Sequence, residues 1–320
     1  MRICLTGSTG FVGSKLCKYL LKNDHQILAP VRNLDFASLP QHKNLNFIHI
    51  EDIGINKNYS KSLTNVDLVI HCAARAHIIN ESANDALRLY RKINVDETLN
   101  LAKQAVLHGA KRFIFLSSAK VNGEQTMFSE SFKHDDIPKP ADPYGISKLE
   151  AEKALRNLSN HTGLEVVIIR APLVYGEGVK GNFVRLMDLC NRGIPLPFAN
   201  INNIRSLVGI DNLIDLIICC IGHPKAAGEV FLVSDDQNIS TTELIKKIKK
   251  VMKKPAILFP LPLFIFKLLG HLMRKATDVD RLLGSLTLDI SRTHEVLGWK
   301  PIFSLEDGLE KTVNWYLKNL

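Results

Sequence analysis

Three glycines near the start of the chain constrain its fold more than any other feature. The run Thr6-Gly7-Ser8-Thr9-Gly10-Phe11-Val12-Gly13 follows a short apolar stretch, Met1 to Leu5, and leads into Ser14-Lys15-Leu16-Cys17-Lys18-Tyr19-Leu20-Leu21. This reads as a strand, a glycine turn and the first turn of a helix. Such a joint offers backbone N–H groups and the positive end of a helix to a phosphate. Gly7 allows the sharp turn, Gly10 lets the backbone approach a pyrophosphate, and Gly13 lets helix and strand pack closely. Thr9, Phe11 and Val12 lie between them in the same cofactor-facing turn. The spacing is Gly-x-x-Gly-x-x-Gly rather than Gly-x-Gly-x-x-Gly, so the motif gains its weight from its strand-and-helix context.

The rest of the first half repeats that alternation. Strands are expected near 2–5, 26–31, 46–50, 67–72, 112–117 and 164–170, and helices near 11–22, 84–108 and 144–162. Strand–helix alternation implies a parallel sheet with helices on both faces. Apolar runs such as Asp67-Leu-Val-Ile-His and Arg112-Phe-Ile-Phe-Leu suit strands buried on both sides. The expected fold is therefore α/β, a Rossmann-type doubly wound parallel sheet with a smaller C-terminal substrate-binding lobe. Residues 1–170 form the dinucleotide-binding domain, with 204–235 returning to it, and 171–203 and 236–320 form the lobe, with helices near 241–253, 261–275 and 305–318.

Bulk properties narrow the class. The chain has 320 residues, enough for one large or two smaller domains. Its six cysteines have neither metal-ligand nor disulfide-framework spacing and read as small core residues of a reducing, cytoplasmic compartment. The first residues read as the strand of the glycine turn, so no signal peptide is expected. The net charge is +9, yet the lysines are scattered apart from Lys246-Lys247-Ile248-Lys249-Lys250 and Lys253-Lys254, a pattern that gives no nucleic-acid stripe. It suits a solvated helix face, or attraction to an anionic substrate or membrane surface. The apolar segment from Ile257 to Gly270 is broken by two prolines and Lys267 and is too short to span a bilayer. A buried or partner-facing helix is its first reading. Peripheral membrane contact through 257–275, at the inner face of the membrane, is the second.

Chemistry enters at Asp142-Pro143-Tyr144-Gly145-Ile146-Ser147-Lys148. Tyr144 and Lys148 are one helical turn apart and share a face. An ammonium beside a phenol stabilises the phenolate and lowers a pKa that is ordinarily near 10. Tyr144 then exchanges a proton with a substrate hydroxyl. Ser117-Ser118 ends a strand, where ligand sites lie in doubly wound sheets, and a serine there can hydrogen-bond the reacting oxygen.

Gly7, Gly10, Gly13, Ser118, Tyr144 and Lys148 together resemble an extended short-chain dehydrogenase/reductase of the epimerase/dehydratase family. The likeness runs over nearly the whole chain and is greatest to nucleotide-sugar 4-epimerases, dehydratases and 4-ketoreductases. It implies Ser118 and Tyr144 at the sugar C4 oxygen, and Lys148 on the nicotinamide ribose. It further implies cofactor contacts from Asp52 and Ile53, from Cys72, Ala73 and Ala74, and from Asn94 and Pro172. A nucleotide-diphosphate site follows from Asn182 and Arg205, with Arg281 as a second arginine, and Lys120 stands beside the serine as a further substrate contact. The resemblance also implies a homodimer through the helices near 84–108 and 144–162.

Departures from the family sharpen the expectation. Dehydratases carry an Asp-Glu pair after the serine or threonine; Ala119-Lys120 stands here and excludes that reaction. Asn122 replaces the tyrosine usual in epimerases. NAD-specific relatives end the second strand with an aspartate, whereas this chain has Val31-Arg32. A missing carboxylate and an added arginine favour NADP(H), with NAD(H) as the alternative. A 4-ketoreductase consumes NADPH at each turnover, so the expectation is NADPH-dependent reduction of a UDP-4-keto-6-deoxy-N-acetylhexosamine to a UDP-N-acetylquinovosamine-type sugar for lipopolysaccharide synthesis. The alternative is a UDP-glucose or UDP-N-acetylglucosamine 4-epimerase with tightly bound NAD. A non-catalytic NAD(P)-binding protein is the remote third reading.

Overall fold

The computed structural model describes residues 1–33, 41–50, 57–75, 83–127, 129–272 and 276–320. Strands β1 (Arg2–Thr6), β2 (Gln26–Val31), β3 (Leu45–His49), β4 (Leu68–His71), β5 (Arg112–Ser118) and β6 (Glu165–Ala171) form one parallel sheet with β9 (Val230–Leu232). The order is β3-β2-β1-β4-β5-β6-β9, so the sheet grows outward in both directions from β1. In doubly wound sheets the ligand crevice forms where strand order reverses, here between the C-terminal ends of β1 and β4.

Apolar clusters cover both faces of this sheet. One packs Ile3, Leu5, Ile70, Ile114 and Ile169 against helices α1 (Phe11–Lys22) and α6 (Ile210–Gly222). The other packs Cys4, Val69, Phe113, Phe115 and Ile168 against α3 (Glu97–Leu107) and α4 (Pro143–Thr162). Burial on both faces is the reason those strands read as unbroken apolar runs.

Two expectations change. The helix expected over 84–108 is α2 (Ala83–Arg91) and α3, joined by a π-helical turn at Lys92–Asp96. Of the stretch 204–235, α6 packs on the main sheet and β9 extends it. Its first strand, β8 (Arg205–Gly209), instead joins a smaller sheet between β7 (Leu173–Tyr175) and β10 (Asn238–Ile239). Around that sheet pack α5 (Asn182–Asn191), α7 (Thr241–Val251) and α11 (Leu305–Lys318), sharing a third core with Tyr175, Phe183, Ile245 and Leu309. Helices α8 (Leu263–Leu272), α9 (Ala276–Leu283) and α10 (Ser291–Leu297) complete the C-terminal lobe. No helix among the described residues is long and apolar enough to cross a membrane.

Candidate active site

The glycine turn is built to admit an anion. Gly7 has φ +69°, and a Cβ on it would sit 2.7 Å from the Ala73 nitrogen. A Cβ on Gly13 would sit 2.1 Å from the Gly7 carbonyl oxygen, so α1 touches the turn with no room for a methyl. Gly10 is the N-cap of α1, and neither a side-chain cap nor an acidic residue occupies that first turn. The first N–H groups of a helix have no intrahelical partners, and here they remain available to a phosphate. Ser8 Oγ is buried without a hydrogen-bond partner among the described residues, a polar atom facing an unmet demand. These features fit a dinucleotide's pyrophosphate.

The strand beside the turn is held to it by side chains. Thr6 Oγ1 meets His71 Nδ1 at 2.7 Å and accepts from the Ala73 nitrogen at 3.2 Å. His71 Nε2 meets Thr98 Oγ1 at 2.9 Å. Burial, aided by the nearby Lys148 ammonium, drives His71 down to about 3, so it is a neutral fixture of the core. Cys72, Ala73 and Ala74 therefore line the turn through a pinned backbone, and burial pushes the Cys72 thiol up to about 12. Asn94 sits in the π-helical turn, 1% exposed. Its amide accepts from the Arg75 nitrogen and donates to the Arg75 carbonyl and to Ser147 Oγ. It thus clamps the loop after β4 onto α4, and its amide hydrogens are spent there rather than on a cofactor. An extra residue in a helix turns the side chain to that loop, a common use of π-turns at functional sites.

Ser118, Tyr144 and Lys148 come together at the C-terminal end of β5. Asp142 caps α4, accepting from the Gly145 nitrogen at 2.7 Å, and Pro143 starts the helix. That start places Tyr144 in the first turn and Lys148 in the second. Ser118 ends β5 and is hydrogen-bonded to the Tyr144 phenol. The Tyr90 ring packs edge-on against Tyr144, with centroids 6.0 Å apart. Pro172 directly follows Ala171, the register partner of Ser118.

The expected lowering of the Tyr144 pKa by Lys148 is not what the geometry gives. Burial comes first, and Asp142 and Tyr90 add to it, raising the phenol well above its ordinary value; the Ser118 hydrogen bond works in the opposite direction. Lys148, 1% exposed, donates to the Leu116 carbonyl at 2.9 Å and lies 4.4 Å above the Phe115 ring. Burial brings its own pKa down to about 8, partly offset by Cys72 and Glu152. The ammonium points at the strand, so its field reaches His71 and Cys72.

Lys120, expected beside the substrate, instead pairs with Asp142, with Glu124 at 3.9 Å. Asn122 is buried, and it receives from Arg170 at 3.1 Å and donates to the Lys133 carbonyl at 2.8 Å. Arg170 and Glu152 form a buried ion pair at 2.7 Å, and Ser117 Oγ donates to Glu152 at 2.5 Å. This network behind the trio ties β5, β6 and α4 together. Sequence reasoning passed over it, although Asp142-Pro143 carries a helix-start signature.

Arg32 is exposed just past β2, beyond the buried Val31. Asp52 and Ile53 lie outside the described residues. Asn182 opens α5 and is exposed, and Arg205 donates to the Gly284 carbonyl at 3.0 Å. Arg281 belongs to α9, and its side chain lies outside the described set.

A Rossmann sheet, an open glycine turn and a Ser–Tyr–Lys trio at a strand end define an extended short-chain dehydrogenase/reductase. Residues 3–234 match the NAD dependent epimerase/dehydratase family, and the chain belongs to it. It is 48% identical over 99% of its length, and 95% of the relative's, to the UDP-glucose 4-epimerase of Vibrio cholerae. A second relative, the N-acetyl-alpha-D-glucosaminyl-diphospho-ditrans,octacis-undecaprenol 4-epimerase of Escherichia coli O157:H7, is 25% identical over 98% of this chain and 94% of that one. The UDP-glucuronic acid 4-epimerase of Bacillus cereus, solved in complex with NAD, superposes with a TM-score of 0.81 at 26% identity, covering 100% of this chain and 99% of that one. The chain is thus an enzyme of an NAD(P)-binding family, and a non-catalytic role has no support.

Proposed function

We propose that this enzyme is a nucleotide-sugar 4-epimerase, inverting C4 of a UDP-hexose or UDP-N-acetylhexosamine and keeping NAD through the turnover. The Ser118–Tyr144 pair at the end of β5 carries the reading of chemistry at a sugar hydroxyl. The 48% identity to a 4-epimerase weighs for inversion over the ketoreductase expected from Val31-Arg32. When bound, NAD supplies the acceptor and donor of the C4 hydride. The backbone of the turn from Gly7 to Gly13 would hold its pyrophosphate, and Lys148 its nicotinamide ribose.

The protein's own part is proton transfer. In its ionised form, a minor species while burial holds the phenol up, Tyr144 takes the C4 hydroxyl proton and returns it to the oxygen after inversion. Ser118, already bonded to the phenol, orients that oxygen. Lys120 neutralises Asp142, limiting how far that carboxylate raises the phenol. Burial keeps bulk water from competing for the proton. Asn182 and Arg205 are the proposed diphosphate contacts, Arg205 through its two-pronged guanidinium. We further infer a homodimer through α2, α3 and α4, which sedimentation velocity would test.

The decisive assay supplies UDP-galactose or UDP-N-acetylgalactosamine without added cofactor. Conversion to the gluco epimer supports the reading, provided that Tyr144→Phe abolishes it. A second reading rests on Arg32: its exposed guanidinium suits a 2′-phosphate, hence NADPH and 4-ketoreduction. If UDP-4-keto-6-deoxy-N-acetylglucosamine consumes NADPH while the UDP-hexoses stay unchanged, reduction is the activity and epimerisation is not.

A further inference from the structure

Six of the sixteen exposed large hydrophobic side chains among the described residues fall within one sixteen-residue stretch. They are Ile257, Phe259, Leu263, Phe264, Leu268 and Leu272, and Phe264 and Leu272 are 69% and 80% exposed. Phe264, Leu268 and Leu272 recur every fourth residue, so they line one outward face of α8. The patch is held rigidly. Leu196 donates to the Ile257 carbonyl at 3.0 Å and accepts from the Phe259 nitrogen at 3.0 Å. Phe266, on the inward face of α8, stacks on Phe198 at 5.6 Å. Buried Lys249 donates to the Ile194 and Pro255 carbonyls, stapling the approach to the patch. Soluble monomers rarely leave a contiguous apolar surface of this kind without a use for it.

Charge identifies the occupant. Residues 244–277 contain nine Lys and Arg and no Asp or Glu. Removing those nine leaves 32 basic against 32 acidic residues, so the entire net charge of +9 arises in this stretch. Lys250, Lys253 and Lys254 are exposed next to Ile257. An isologous contact between two copies would set each basic rim against its own image, which like-charge repulsion opposes. An anionic surface with an apolar interior satisfies both features at once.

We propose that the outer face of α8 and the preceding loop form a peripheral docking surface for an anionic lipid bilayer. Leucine and phenylalanine enter the acyl boundary, and the flanking lysines meet the headgroups. None of the patch residues belongs to the Ser118–Tyr144–Lys148 set, so docking and catalysis are separately measurable.

The test is co-sedimentation of the full chain with vesicles of phosphatidylcholine alone and of phosphatidylcholine with about a third phosphatidylglycerol. Pelleting with the anionic vesicles, weakened by added salt, is expected. Leu263→Ser/Phe264→Ser/Leu268→Ser should reduce binding about tenfold or more. Lys253→Ala/Lys254→Ala, a milder surface change, should reduce it about fivefold per lysine. Circular dichroism confirms that each variant is folded. The proposal is overturned if wild type stays in the supernatant with anionic vesicles, or if folded variants bind as wild type does. It is equally overturned if the serine variant changes the subunit number in sedimentation velocity while wild type ignores vesicles, since the patch then joins two copies.

Discussion

Asp142 does two jobs at the head of α4: it caps the helix through the Gly145 nitrogen and holds a negative charge near the Tyr144 phenol. Asn caps helices about as well as Asp, so Asp142→Asn separates the two. It removes a carboxylate that raises Tyr144 and leaves the Lys120 ammonium with Glu124, at 3.9 Å, as its acidic neighbour. The Tyr144 pKa therefore falls, and the limb of kcat that depends on the phenolate moves to lower pH, with little change in thermal midpoint. A pH profile superimposable on wild type would refute the electrostatic role. His71 allows a second test with the opposite readout. Its folded pKa, about 3, lies below the ordinary 6.5, so the folded state binds fewer protons between those values. The stability it confers is complete above pH 6.5 and is lost progressively as pH falls toward 3, at up to about 1.4 kcal/mol per unit. His71→Gln should be less stable at pH 8 yet show a shallower acid loss in urea titrations at successive pH values. At this scale the trio was legible because strand end and helical turn are encoded by local spacing. The direction of the Lys148 amine was not, since the Leu116 carbonyl and Phe115 ring that receive it come from a strand 32 residues earlier.

Among elements, the buried Arg170–Glu152 pair decides how β5, β6 and α4 stay aligned behind the trio. Arg170→Met strands a carboxylate that is 2% exposed, with only Ser117 still bonded to it. Breaking a buried pair by removing one partner costs about 3–5 kcal/mol. Adding Glu152→Gln removes the stranded charge and should recover part of the loss in chemical denaturation; a double variant no better than the single would exclude this account. Strands β1, β2 and β4 to β6 could be read from the chain because burial on both faces gives each an apolar run, whereas β3, at the sheet edge, is only half-buried. The lobe strands could not, since β7 and β10 have three and two residues and carry no period. The π-turn at Lys92–Asp96 was equally hidden. Its cause is the match between Asn94 and the Arg75 backbone, a contact across 19 residues rather than a local preference.

For the whole molecule, the glycine turn links stability to cofactor. The two halves of the crevice, β1 with its turn and β4 with its loop, meet through Gly7 and Ala73, and α1 closes on them through Gly13. A dinucleotide seated there binds only the folded arrangement, so it must stabilise the fold by mass action. At a hundredfold excess over Kd the gain is about 2.7 kcal/mol. Protein stripped of dinucleotide should therefore melt several degrees higher when NAD is restored, and comparing NADP at equal saturation reports on Arg32 directly. Gly13→Ala is the control that ties this shift to the turn. Its methyl would meet the Gly7 carbonyl at 2.1 Å, backbone against backbone, so α1 must move away from β1. Overpacking of that kind costs about 1–3 kcal/mol, and the displaced helix no longer presents its N-terminus to the pyrophosphate. The variant should melt lower than wild type without cofactor and gain little when NAD is added. An undiminished NAD-induced shift in folded Gly13→Ala would mean that the dinucleotide is held elsewhere.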